Sequence, residues 1–179
     1  MSVPDNMDAM DGEQGSALRW YAVHTRPRHE KVVAEQLCFK NIECFLPLRE
    51  VLSKWKDRRK RVQFPLFPGY LFVHASLPSS RLDIIKVDSV VQILGFQGKP
   101  EPVPENQIDA VKRLVYSELP YDPYPDLAQG DRVRIVSGPL RGLEGVLVEK
   151  KNRFRFVLNV DLIRQSVACE IAAADVEKL

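Results

Sequence analysis

The sequence predicts an α+β domain followed by a small all-β barrel. Three observations predict it. Residues 18–116 alternate strand-like and helix-like periodicities in a β-α-β-β-α-β order with a final helix, which fits an antiparallel, ferredoxin-like sheet with helices on one face. Residues 117–129 lose periodicity and hold three prolines, as a semi-stiff extended linker does. Residues 130–179 then offer several short strand-like runs punctuated by Gly138, Gly142 and Gly145, the texture of a small, strongly bent barrel. Residues 1–17 are polar and read as a tail.

In chain order, residues 19–25 are rich in aromatic and β-preferring types and predict a strand. Pro27 suits a first helical position, and Val33, Ala34, Leu37 and Cys38 make one apolar stripe running to about Asn41. Residues 43–51 predict a second strand, and a basic run follows as a loop or hairpin tip. Phe64 to Ser76 holds a third strand, with Pro65 and Pro68 keeping its first half out of a regular ladder. Ser79 or Ser80 suits the cap of a short helix burying Leu82 and Ile85, and residues 89–96 predict a fourth strand. Pro104 opens a helix whose Ile108, Val111, Leu114 and Val115 share a face. In the barrel, residues 132–136, 145–149, 154–160 and 166–171 are strand candidates.

With 45% apolar and 28% charged residues, the chain is composed like a globular protein that buries a core. Its apolar runs are far shorter than the roughly 18 residues that cross a bilayer. The acidic N-terminus, with no base before Arg19, is unlike a secretory signal. Three cysteines without a CxxC pair argue against a disulfide scaffold or a zinc ribbon and for a reducing, cytoplasmic setting. His24, His29 and His74 lack ligand spacing, no GxSxG or GxxxxGK[ST] occurs, and the glycine-rich stretch 138–145 reads as turns. The expectation is a protein without catalytic residues, metal or cofactor.

The net charge of +2 hides an uneven distribution. Residues 1–18 carry −4, residues 19–63 carry +7 and residues 64–179 carry −1. The densest basic stretch, 54–61, sets Lys54, Lys56, Arg58, Arg59, Lys60 and Arg61 around Trp55 and Asp57. Such a run is either a solvated loop or a polyanion contact, in which bases neutralise phosphates and the aromatic stacks on a base.

The strand at 70–74 is apolar on both faces. Side chains alternate, so Leu71 and Val73 line one face and Tyr70, Phe72 and His74 the other. With helices on one side only, one set needs a further cover: a protein partner, or else a loop or the second domain of the same chain.

Three segments together resemble the NusG family of transcription factors. They are Trp20-Tyr21-Ala22-Val23-His24-Thr25, the run Pro65-Leu66-Phe67-Pro68-Gly69-Tyr70-Leu71-Phe72-Val73, and residues 130–142 (GDRVRIVSGPLRG). The resemblance spans about 160 residues in the family's order. It implies an NGN domain over 18–116 and a KOW domain, an SH3-like barrel, over 130–179. The 65–73 wording and the Trp55 to Lys60 insert look more like the specialised RfaH-like paralogs than housekeeping NusG.

The resemblance implies a monomeric, non-enzymatic elongation or antitermination factor. Its NGN domain would dock on the clamp helices of the largest RNA polymerase subunit through His24, Phe67, Tyr70, Phe72 and Phe96. It would cross the cleft to the other large subunit near Arg81, Leu82 and Asp83, where the RfaH-like His-Thr-Thr-Thr pattern is absent. Arg26, Gln36 and Lys40 match positions that contact non-template DNA, whereas Asp88 replaces a basic position. The KOW turn Leu162, Ile163 and Arg164 matches the surface that recruits Rho or the ribosomal protein NusE; read from residues alone it is equally a barrel-closing strand. RfaH refolds this domain, but Val133, Ile135, Val146, Val148, Val157 and Val160 favour strands here, so a stable barrel is expected. A different class, a free-standing RNA-binding or ribosome-associated KOW module, would use the basic run for RNA, although nine bases against seven acids over 129–179 give the barrel little charge for it.

Overall fold

The computed structural model describes residues 17–55, 58–124, 127–150 and 153–179. The first strand, β1 (Arg19–Thr25), falls on the predicted residues, and α1 (Glu30–Phe39) follows. Pro27 precedes the helix by a turn rather than opening it. Arg28 takes a left-handed φ of 67° between them, so the chain reverses before the helix begins.

The predicted second strand divides into β2 (Glu43–Phe45) and β3 (Leu48–Trp55), broken at Leu46 and Pro47. β3 pairs in register with β4 (Arg58–Pro65) as a separate two-stranded ribbon, the basic hairpin. A turn at 66–69 leads to β5 (Tyr70–Ala75), so the predicted third strand is the end of one ribbon and a core strand of another sheet. Next come α2 (Leu77–Ile85), β6 (Val90–Ile93), a small hairpin of β7 (Gly95–Phe96) and β8 (Lys99–Pro100), and α3 (Glu105–Val115).

The sheet of the first domain runs β2-β5-β1-β6, all antiparallel. With the hairpin set aside, this is the 4-1-3-2 strand order of the ferredoxin-like arrangement. One face packs Tyr21, Val23, Leu71 and Val73 against Val33 and Leu37 of α1 and Ile84 of α2. In α2 the residues that turn inward are Leu77 and Ile84, seven apart, and Val87 joins them from the turn after the helix. Leu82 and Ile85 therefore point outward, contrary to expectation, and Leu82 is 63% exposed.

The barrel contains β9 (Tyr121–Tyr124), β10 (Asp131–Ile135), β11 (Glu144–Lys150), β12 (Arg153–Val160), β13 (Gln165–Glu170) and β14 (Val176–Lys178). Their order is β14-β10-β11-β12-β13-β9. The four predicted strands are all present. β9 is new: part of the stretch read as linker is extended but pairs with β13 at the barrel's edge.

Helix α3 lies between sheet and barrel. Its Ile108, Val111 and Leu114 join Trp20, Ala22, Phe45 and Phe72 of the sheet and Phe156, Leu158 and Val160 of the barrel in one apolar cluster. Polar contacts then tie the domains at the rim. Arg113 donates to the carbonyls of Arg141 (2.8 Å) and Pro139 (3.4 Å). The Gln107 amide donates to the Asp161 carboxylate at 2.6 Å and accepts the Asp161 N–H at 3.3 Å. The Tyr121 hydroxyl donates to the Leu48 carbonyl at 2.6 Å. Burial first, then the nearby Glu50, pushes the Tyr121 phenol up, which keeps that donor protonated.

Candidate polymerase and nucleic-acid interface

The second face of the sheet is where the sequence predicts a bare aromatic surface. Its middle is covered by the chain itself. Phe72 is 0% exposed and packs edge-on against Phe67 and stacked against Phe45. Lys112 of α3 sits with its Nζ 4.1 Å above the Trp20 ring and 5.6 Å from that of Phe45. The expectation that Phe67 and Phe72 are presented to a partner is therefore corrected: α3 crosses the face and both rings are core. The reason is the amphipathic helix itself, whose apolar stripe needs a sheet face as much as the sheet needs a cover.

The two ends of that face stay partly open. At one end His24 and Tyr70, cross-strand partners on β1 and β5, stack with centroids 5.1 Å apart. At the other, His74 stacks on Trp20 at 4.8 Å and its Nδ1 lies 2.9 Å from the Glu43 carboxylate. Phe96 is 70% exposed in the β7–β8 hairpin and makes no ring contact with His24 or Tyr70. The five aromatic positions thus divide into two core rings, one half-buried pair and one exposed ring.

The backbone at the His24–Tyr70 end is tightly held. Gly69 has a φ of 83°, its N–H donates to the Glu30 carboxylate at 2.7 Å, and its carbonyl accepts the Thr25 N–H at 2.9 Å. Glu30 is buried at 3% exposure, and the sequence reading missed it. The signal was present, because Glu30, Val33 and Leu37 follow helical spacing, placing an acid on an apolar stripe.

Arg81, Leu82 and Asp83 are all exposed on α2. Asp83 lies 3.9 Å from Lys40, so the end of α1 and the face of α2 are neighbours. The same region exposes Phe39, which is 87% accessible and was not anticipated. Arg26 and Lys40 are exposed and Gln36 is half-buried.

In the basic hairpin, Lys54 pairs in register with Arg59, and Arg58 and Lys60 lie on β4. Lys56 lies outside the described residues. Arg61 is exposed, 3.6 Å from Glu50. Lys31 donates from α1 to the Gln63 carbonyl at 2.9 Å, which fixes the hairpin's base beside the first turn of the helix. Sequence distance hid this juxtaposition.

In the barrel turn, Ile163 is buried, Leu162 is half-buried and packs on the shared apolar cluster, and Arg164 is exposed with a φ of 52°. The turn begins at Asp161, the residue bound by Gln107 of α3. The expected partner surface of the barrel therefore faces the first domain.

Among the described residues, no group of His, Cys, Asp and Glu is arranged to hold a metal, and no helix is long and apolar enough to cross a membrane. The architecture is a ferredoxin-like domain carrying a basic hairpin, followed by a small barrel. Residues 18–112 match the family described as "Transcription termination factor nusG", and the chain belongs to the NusG family. It is 26% identical to the transcription termination/antitermination protein NusG of Pseudomonas aeruginosa, over 91% of this chain and 99% of that one. It is 27% identical to NusG of Staphylococcus epidermidis, over 93% and 99%. The fold is similar to that of Thermotoga maritima NusG, solved in a study of its domain interaction, with a TM-score of 0.55, 23% identity and coverage of 90% and 97%.

Proposed function

We propose that the chain is an elongation and antitermination factor that binds RNA polymerase through its first domain and recruits a second protein through its barrel. The carrying observation is the stacked, half-buried His24–Tyr70 pair at the open end of the sheet face, on a chain of this family. The pair would dock on the clamp helices of the largest polymerase subunit, with Phe96 as a separate exposed contact. Arg81, Leu82 and Asp83 would meet the other large subunit across the cleft. Arg26, Gln36, Lys40 and the basic hairpin would lie along non-template DNA, supplying phosphate contacts. A ligand that prefers the closed clamp shifts polymerase toward that state and away from pausing. The specialised, RfaH-like character of residues 65–73 and a cytoplasmic site of action belong to the same reading.

The barrel's turn at Leu162 to Arg164 would recruit Rho or the ribosomal protein NusE. In the closed arrangement that turn rests near α3, so recruitment needs the barrel to leave the first domain. The closed chain is then the resting form and polymerase-bound chain the released one. Binding of the full chain to purified core polymerase tests the reading. Tyr70→Ala should lower affinity by about tenfold or more while leaving the fold intact, as for a docking aromatic. Unchanged affinity rejects the docking surface. Tight RNA binding without affinity for polymerase would instead favour the free-standing RNA module.

A further inference from the structure

We propose that Glu30 is a positioning residue for the docking surface, acting through the Gly69 turn; this rests on the His24–Tyr70 reading above. Glu30 opens α1, where a first-turn acid would ordinarily serve its own helix's free N–H groups. Here α1 has no side-chain cap, and the Glu30 carboxylate is committed instead to an amide 39 residues away. The bond is short, 2.7 Å, and buried, the setting in which an ionised acceptor holds a backbone donor most firmly.

What it holds is the Pro68–Gly69 peptide, one link before the Gly69–Tyr70 peptide that aims Tyr70. The turn from Phe67 to Tyr70 closes through the Tyr70 N–H and the Phe67 carbonyl at 3.1 Å. Gly69 stands between them in a left-handed conformation, with the His24 ring so near that a Cβ there would meet its Cδ2 at 3.7 Å. Its carbonyl is taken by Thr25, the residue after His24. Glu30 supplies the second anchor. With the peptides on both sides of the Gly69 Cα held, the backbone at Gly69 has one conformation, so Tyr70 leaves the turn over His24. Without the Glu30 anchor the Gly69 N–H loses its buried partner, the Pro68–Gly69 peptide is free to rotate, and the Tyr70–His24 stack loses one side of its fixed base.

The test measures affinity of the full chain for core polymerase, with thermal unfolding of each variant alongside. Glu30→Ala should weaken binding by about tenfold, the size expected from losing one charge-assisted buried hydrogen bond. Glu30→Gln, which keeps an oxygen acceptor, should recover binding to within about threefold. In a Tyr70→Ala background, Glu30→Ala should add less than about twofold, because the two act through one element. Val33→Ala, a buried change in the same helix, serves as the stability control and should bind as the parent does. If Glu30→Ala does not fold, Glu30→Asp replaces it, retaining the charge but not the reach, and should show the same loss. The proposal is overturned if the Ala or Asp variant binds like the parent while Tyr70→Ala does not. It is also overturned if Glu30→Gln fails to recover binding, if the double variant's losses add, or if Val33→Ala loses as much affinity. Should Tyr70→Ala itself bind normally, the docking surface is at fault, and the Glu30 proposal falls with it.

Discussion

Removing the two polar ties that α3 makes to the barrel should open the chain. Arg113 contributes a charged donor to two loop carbonyls, and Gln107 contributes two bonds to Asp161. Hydrogen bonds to charged groups are worth roughly 1.5–3 kcal/mol when sheltered, but these lie at an exposed rim, so about 1 kcal/mol each is the fitting scale. Arg113→Ala with Gln107→Ala should thus cost the closed state about 2 kcal/mol, a shift of roughly thirtyfold toward opening. Ile108, Val111 and Leu114 remain in the double variant and keep their packing on the sheet, so the first domain's fold persists. The assay is energy transfer between dyes on the two domains, supported by barrel amide shifts in solution. Lower transfer and barrel shifts moving toward those of a detached domain are expected, together with tighter polymerase binding. Unchanged transfer would refute the polar ties as the closure. Increased opening without any gain in polymerase affinity would refute the closed chain as a resting form.

Other outcomes follow from single residues. Phe72→Ala should destabilise the first domain by about 3–5 kcal/mol in denaturant unfolding, because it empties the centre of the core rather than trimming a surface. Gly145→Ala should disrupt the barrel, since its Cβ would come within 2.6 Å of the Val157 carbonyl and 2.7 Å of the Phe156 ring; a loss of about 1–3 kcal/mol in unfolding is expected. In thiol labelling, exposed Cys38 should react first, Cys44 more slowly because burial chiefly raises its thiol, and Cys169 only on unfolding. Burial pushes Cys169 up to about 11 from 9.0. The native chain keeps that proton while the unfolded chain loses it, so stability should fall as pH rises through 9 towards about 11, measurable as a declining Tm. Nucleic-acid affinity should fall with salt, and Arg61→Ala should flatten the logarithmic slope by about one if Arg61 meets a phosphate.

The elements that the sequence revealed best are those with a single apolar face. β1 and α3 carry their burial pattern in their own residues, and both occur where the periodicity places them. The α2 expectation failed because its nine residues are too few to define a stripe; only packing shows that Leu77 and Ile84 turn inward. β9 was hidden by Pro123, which removes a donor and is tolerated only because the strand lies at the sheet's edge. At the candidate site, His24 and Tyr70 were legible as a shared face. The cover over Phe72 was not, since it depends on where a helix thirty residues downstream comes to rest. Glu30 stood legibly on the apolar stripe of α1, but its partner Gly69 and the Gln63 partner of Lys31 lie far along the chain, and no local pattern carries that information.

The most direct test is titration of core RNA polymerase with the full chain and with its Tyr70→Ala variant, at equal folded fraction. The account predicts saturable binding by the parent and a loss of about tenfold or more in the variant. Equal affinity for the two, or no binding by either once the domains have been opened, would contradict it.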